Sequence, residues 1–256
     1  MNVTVLVKQI PDPEQPSALD QGNFRLVRGA GLVIDDSDRY GVEVALMLRD
    51  SSGGGEVIAV SMAQDGEIAG LRAALAMGVD RALLIADPAL AGTDALSSAK
   101  VLAAAVARSA SDLVVTATES TDGYTGTLPV QVAELLGWPS ITYATKVACV
   151  GDLVAATRQT DAGTEDVECE LPVLVSVTAG IVEPRYPSMR GIMSARTKPL
   201  ETISLAELGL DPAAVSARQE VSSATAAPAR ASGVMVTDEG QAHERIVELL
   251  AELKLV

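Results

Sequence analysis

"EVIAVSMAQDGEIAGLRAALAMGVDRALLIAD", residues 56–87, decides the fold. After Glu56, "VIAVSM" (57–62) is apolar but for Ser61 and carries three β-branched residues with no polar alternation, the pattern of a strand buried on both faces. "DGEIAGLRAALAMG" (65–78) then carries helical periodicity, with Asp65 as the expected N-cap and Gly78 as the stop. "RALLIAD" (81–87) is a second buried strand. Strand, helix and strand within about 30 residues make a right-handed parallel crossover.

The same unit recurs outward from this stretch. "VTVLVKQ" (3–9) predicts a strand, and "SDRYGVEVALMLRD" (37–50) predicts a helix with Ser37 as N-cap and Val42, Leu46 and Met47 on one face. "TDALSSAKVLAAAVARS" (93–109) predicts a helix, "DLVVTAT" (112–118) a strand, and "GTLPVQVAELLG" (126–137) a helix. The alternation predicts an α/β fold: a doubly wound, mostly parallel sheet of the Rossmann-like, adenine-nucleotide-binding kind. Ligands of such sheets sit beyond the carboxyl ends of the strands, which directs attention to the loops after residues 9, 62 and 118. From about residue 144, turns at Gly151-Asp152 and Asp161-Ala162-Gly163 predict an added antiparallel segment. Residues 211–232 are rich in Ala and Ser and read as a linker or extended arm. "DEGQAHERIVELLAELKLV" (238–256) is an amphipathic helix with Ile246, Leu249, Leu250 and Leu253 at helical spacing. That helix packs either on its own domain or on a partner chain. The expected division is a nucleotide-binding domain over 1–210 and a C-terminal arm over 211–256.

Composition narrows the function. Of 256 residues 48% are hydrophobic but only 2% aromatic, too few for reading bases by stacking. A net charge of −15 argues against nucleic acid and anionic membranes as partners. It serves solubility or steers the chain toward a basic surface. Cys149 and Cys169 form no metal-binding spacing. The N-terminus is apolar for only about six residues before Lys8, and no later run reaches the roughly 18 that a membrane span needs. A cytoplasmic protein with reduced thiols and no direct membrane insertion is expected. His243 is the only histidine, in the polar start of the last helix, so no Ser/His/Asp or Cys/His set can be assembled around a core histidine. A binding or carrier role is favoured over an enzyme.

Three segments carry candidate chemistry. "ATESTDGYTGTLP" (117–129) gathers hydroxyls and glycines just before a helix, a pattern for cradling an anion or merely for capping the helix. It is not a P-loop, since GxxxxGK[ST] is absent, and no GxGxxG follows the first strand. "LVIDDSDRY" (32–40) is acidic, suited to the positive end of a helix or to accepting from a ribose hydroxyl, and unattractive for phosphate. "EPRYPSMRGIMSARTKPLE" (183–201) mixes cations with Tyr186, Met189, Ile192 and Met193, and is neither a clean helix nor a clean strand.

Together "VLVKQIPD", "LRAALAMGVDRALLI", "ESTDGYTGTLPVQVAELLGWP" and, most strongly, "EPRYPSMRGIMSARTKPLE" resemble the electron-transfer flavoprotein beta subunit over nearly the whole chain. The resemblance implies a heterodimer with an alpha subunit that holds most of one FAD, and a structural AMP on the beta chain. It implies electron transfer from acyl-CoA and related flavin dehydrogenases, in fatty acid oxidation, to a quinone oxidoreductase. Carried over by position, AMP contacts fall on Leu6, on Asp35, Asp36, Ser37 and Asp38, on Met62, and on Glu119, Ser120, Thr121, Asp122, Gly123, Tyr124, Thr125, Gly126, Thr127, Leu128, Pro129 and Val130. Residues 185–198 are implied to form a recognition loop, with Met189 as its apolar anchor and Arg185, Tyr186, Arg190, Ile192, Met193, Arg196 and Lys198 around it. The C-terminal arm is implied to pack on the alpha subunit. The chain departs from the family in its thinned basic run "SARTK" and in "IDDSD" where an Asn-Pro-Phe type sequence is usual. Pro13 and Ser37 hold the places of aromatic residues that approach the flavin in some members. Three alternatives remain: a bifurcating relative with a second FAD in place of AMP, an ATP-using adenine-nucleotide hydrolase-type enzyme, and a plain nucleotide sensor.

Overall fold

A computed structural model describes residues 1–29, 31–225, 233, 235–238 and 240–256. These fall into two compact units, Met1–Ser222 and Ser223–Val256.

The first unit is built on a nine-stranded sheet of β1 (Val3–Leu6), β4 (Val57–Ala63), β5 (Arg81–Ala86), β6 (Leu113–Ala117), β7 (Ser140–Val150), β8 (Leu153–Thr160), β9 (Gly163–Glu170), β10 (Val173–Val177) and β11 (Leu200–Ile203). A separate antiparallel pair, β2 (Gln9–Ile10) and β3 (Val33–Ile34), follows β1. The expected single strand 3–9 is therefore broken after Leu6 and resumes as β2. The large sheet runs β11-β5-β4-β1-β6-β10-β7-β8-β9. It is parallel from β11 to β7 and antiparallel from β7 to β9. The antiparallel segment therefore begins where the turns predicted it. One strand within that stretch departs from the hairpin reading: β10 leaves β9 and inserts between β6 and β7, parallel to both.

Continuous apolar strands require cover on both faces, and the helices divide accordingly. Helix α1 (Asp36–Ser51) and α2 (Ala69–Met77) bury Val42, Leu46, Leu71 and Leu75 against Val3, Val5 and Ala59 on one face. On the other face α3 (Ala95–Arg108) and α4 (Leu128–Leu136) bury Leu102, Val106 and Val132 against Leu6, Ile58 and Val114. The doubly wound sheet is thus as expected.

Two predicted caps are corrected. Asp35, not Ser37, caps α1: its carboxylate accepts from the Ser37 N–H at 3.0 Å. Asp65 does not cap α2. Glu67 accepts from the N–H groups of Ile68 and Ala69, and the remote Gln9 side chain accepts from Gly70 N–H at 2.8 Å. A Cβ on Gly70 would lie 2.7 Å from Gln9 Cγ, so glycine permits this approach. Gly78 ends α2 with φ +132°, as read from the sequence.

Residues 212–215, within the stretch read as the start of the arm, form a short 3-10 turn that buries Val215 in the core of the first unit. The second unit contains α6 (Ala242–Glu252), along which Ile246, Leu249 and Leu250 recur at helical spacing. No helix among the described residues is long and apolar enough to cross a membrane.

Candidate functional site

The chain order places the site. From β1 the chain moves to β4 and β5 on one side, then returns to β6 on the other. The topological switch lies between β1 and β6, and the crevice outside their carboxyl ends is where such sheets take ligands. Lys8 follows β1, the loop 118–127 follows β6, and Asp35 opens α1 at the same edge.

A lattice of buried acids shapes this edge. Asp35 is buried, and besides Ser37 it accepts from Thr121 N at 2.7 Å and Thr121 Oγ1 at 3.0 Å. Asp38 is also buried and accepts from the Lys8 N–H at 2.6 Å. Burial, with Asp35 and Asp122 nearby, pushes the Asp38 carboxyl well above the usual carboxylate range, although the Lys8 N–H and the Lys8 charge oppose it. Asp122 shifts the other way. Burial would raise it, but the Lys8 ammonium at 2.6 Å, the Arg28 guanidinium and a Ser120 hydrogen bond together hold it below the usual range. Lys8 Nζ also donates to Ser120 Oγ at 3.1 Å, and Arg28 donates to the Gln9 carbonyl at 2.9 Å. The first half of the loop is therefore fixed through Ser120, Thr121 and Asp122. Asp35 and Asp38 face inward, bonded to the chain itself, while Asp36 pairs with Arg39 at the surface.

The second half of the loop is left open. Tyr124 (φ +47°) and Gly126 (φ +63°) turn the chain through left-handed conformations. The N–H groups of Thr125, Gly126, Thr127, Leu128 and Val130 meet no acceptor among the described residues, and Pro129 needs none. The Thr125 hydroxyl is exposed and Thr127 Oγ1 accepts only a long 3.4 Å bond from Gln131. Gln131 Oε1 is buried with no donor among the described residues. The buried Leu6 and the partly buried Met62 belong to the apolar cluster on the α3/α4 face of the sheet, which α4 joins through Val132 and Ala133. N–H groups and hydroxyls at a helix start, next to an apolar wall and an unpaired acceptor, fit a ligand with an anionic end, hydroxyls and a flat apolar part.

The segment 183–201 is organised differently. Ser188 caps a short helix, α5 (Met189–Ala195), by accepting from Gly191 N–H at 3.0 Å. A Cβ on Gly191 would lie 2.4 Å from the Ala76 carbonyl oxygen, so α5 sits hard against α2. Arg72 on α2 donates to the Ala195 carbonyl. Lys198 Nζ donates to the carbonyls of Leu75 and Val79 at 3.0 and 2.6 Å, a cation at the negative end of α2. Arg185 is held by Glu43 of α1. With this base fixed, Tyr186 (88% exposed), Met189 (76%) and Met193 (70%) project outward, with Arg190 and Arg196 also exposed.

Four residues of this architecture escaped the sequence reading. Lys8, Gln9 and Arg28 belong to strand-end and loop segments whose partners lie far along the chain. Glu43 carried a signal: it sits three residues before Leu46, on the buried side of α1, where a charge needs a partner.

Comparison with known proteins agrees with this layout. The electron transfer flavoprotein domain matches residues 24–208. The chain is 35% identical to the electron transfer flavoprotein subunit beta of Mycobacterium tuberculosis, over 100% of this chain and 99% of that one. It is 33% identical to the subunit beta of Bacillus subtilis over the full length of both, and 30% identical to that of Megasphaera elsdenii over 100% of this chain and 98% of the other. The chain belongs to the electron transfer flavoprotein family, among its beta subunits.

Proposed function

We propose that this chain is the beta half of a cytoplasmic electron-carrying heterodimer, with AMP held at the β1/β6 crevice and FAD held mainly by the alpha subunit. FAD supplies the redox chemistry. This chain binds the nucleotide, orients the alpha subunit and docks acyl-CoA and related flavin dehydrogenases, whose electrons pass on toward a quinone oxidoreductase. The observation that carries the nucleotide reading is the row of N–H groups from Thr125 to Leu128 and at Val130 that meet no acceptor among the described residues, beside buried acids that are already neutralised or bonded. A phosphate there would accept from N–H groups and hydroxyls without facing a bare carboxylate. Leu6 and Met62 offer apolar contact to a base, and Gln131 Oε1 an acceptor for an amine or hydroxyl. The docking reading rests on the exposed Met189, Met193 and Tyr186 on a rigid base. Methionine adapts its shape, which suits a surface serving several partners. The amphipathic α6 is read as packing on the alpha subunit.

The test removes the hydroxyls. In the purified heterodimer, Thr125→Ala with Thr127→Ala lowers AMP content while FAD stays bound. AMP retained at the parental level would place the nucleotide elsewhere.

A further inference from the structure

The four cations of residues 183–201 form two sets. Arg190 and Arg196 are exposed with no side-chain partner among the described residues, whereas Lys198 and the still partly exposed Arg185 bond to this chain and tie the two ends of the segment to α1 and α2. Arg185 makes three bonds to one carboxylate: its N–H and Nε donate to Glu43 Oε2 at 3.1 and 2.7 Å, and Nη2 donates to Oε1 at 2.8 Å. Glu43 is buried and has no other hydrogen-bond partner among the described residues. A buried carboxylate is costly unless paired, and here Arg185 alone supplies the pairing. A two-pronged guanidinium contact fixes the plane of the arginine, and the backbone N–H fixes the main chain at the same point. That point lies four residues before Met189, at the entrance to α5.

Resting on the docking reading above, we infer that Glu43, which lies beneath the docking surface, is a positioning residue for dehydrogenase recognition. It holds Arg185, and through Arg185 the backbone that presents Met189 and Met193. The guanidinium of Arg185 and the ammonium of Lys198 are then already engaged within this chain, although Arg185 stays 40% exposed. The charge offered to the partner falls on Arg190 and Arg196, so the partner surface pairs an apolar pocket with acidic residues.

The experiment uses the heterodimer co-expressed with its alpha subunit and an acyl-CoA dehydrogenase that reduces it. KM for the heterodimer and kcat are measured across a range of ionic strengths. Glu43→Gln and Arg185→Gln each raise KM by about fivefold or more, a coupling typical of a paired buried contact. FAD content and kcat hold, and the salt dependence of KM keeps its steepness. The double variant is no worse than either single one. Arg190→Gln instead flattens the salt dependence. An unchanged KM in Glu43→Gln, beside a raised KM in Met189→Ala, overturns the inference and leaves the docking reading standing. Additive effects in the double variant also overturn it, since Arg185 would then touch the dehydrogenase itself. An unchanged KM in Met189→Ala removes the docking reading and the inference with it. Should Glu43→Gln fail to assemble, Glu43→Asp decides. It keeps the buried charge and shortens its reach to Arg185, so a raised KM supports the inference and an unchanged KM overturns it.

Discussion

Removing the Asp35 carboxylate attacks the joint that ties α1 to the loop 118–127. Asp35 is buried and accepts three bonds, from Ser37 N, Thr121 N and Thr121 Oγ1. In Asp35→Ala the lost cap costs about 1 kcal/mol. The Thr121 hydroxyl sits in a half-exposed loop and can turn to water, so its bond contributes little. The Thr121 N–H loses a charged acceptor, which costs about 2 kcal/mol. The sum is about 3 kcal/mol, or roughly 6–12 °C in Tm for a chain of this size. Urea unfolding of the full-length chain, followed by the fluorescence of Trp138, its single tryptophan, reads the change directly. Trp138 packs against the α3/α4 core, so its signal reports the domain. Asp35→Asn falls between: one oxygen can still accept from Ser37, but the amide presents a donor to the Thr121 N–H. A loss below about 1 kcal/mol in Asp35→Ala would refute the view that this carboxylate holds the loop.

Other consequences follow from the same geometry. The raised Asp38 pKa means that its ionisation opposes folding, a penalty absent in acid that grows as pH rises from the ordinary carboxylate range toward the folded value. Asp38→Asn keeps an acceptor for Lys8 N–H, so its urea midpoint at pH 7 matches or exceeds the parent, and the gap closes toward pH 4. The lowered Asp122 pKa has the opposite sign: its stabilisation is complete above the unfolded pKa and lost as pH falls through the folded one. Asp122→Asn therefore costs about 1–2 kcal/mol at pH 7, discounted for the exposure of Lys8 and Arg28, and nothing at low pH. Gly191→Ala drives a Cβ into the Ala76 carbonyl, so it costs about 1–3 kcal/mol and slows reduction by the dehydrogenase. Met189→Ala weakens dehydrogenase affinity by about thirtyfold, some 2 kcal/mol, which stopped-flow reduction of the heterodimer measures.

The fold was legible because its signals are local. Apolar runs without alternation marked β1, β4, β5 and β6, and the helices between them carried clear periodicity, with Gly78 the stop of α2. What escaped depends on residues distant in the chain. Whether β10 pairs with its hairpin neighbour or slips between β6 and β7 depends on register across the whole sheet. The α2 cap went unread because Gln9, some 60 residues earlier, reaches it from another segment. In the site, "ATESTDGYTGTLP" announced an open helix start, yet nothing in its spelling divides Ser120, Thr121 and Asp122, which are tied down, from Thr125 and Thr127, which are not. Arg185 and Arg190 are alike as letters. Both are exposed, and only the carboxylate of the buried Glu43 tells the cation paired within the chain from the one left unpaired among the described residues.

On the proposed reading, the crevice between β1 and β6 holds AMP within a heterodimer carrying a single flavin. Co-expressing the chain with its alpha subunit, denaturing the purified complex and quantifying the released nucleotides tests it most directly. FAD and AMP are expected in equal amounts, one of each per heterodimer. Two FAD and no AMP would contradict it, as would a complex that releases flavin but no adenine mononucleotide.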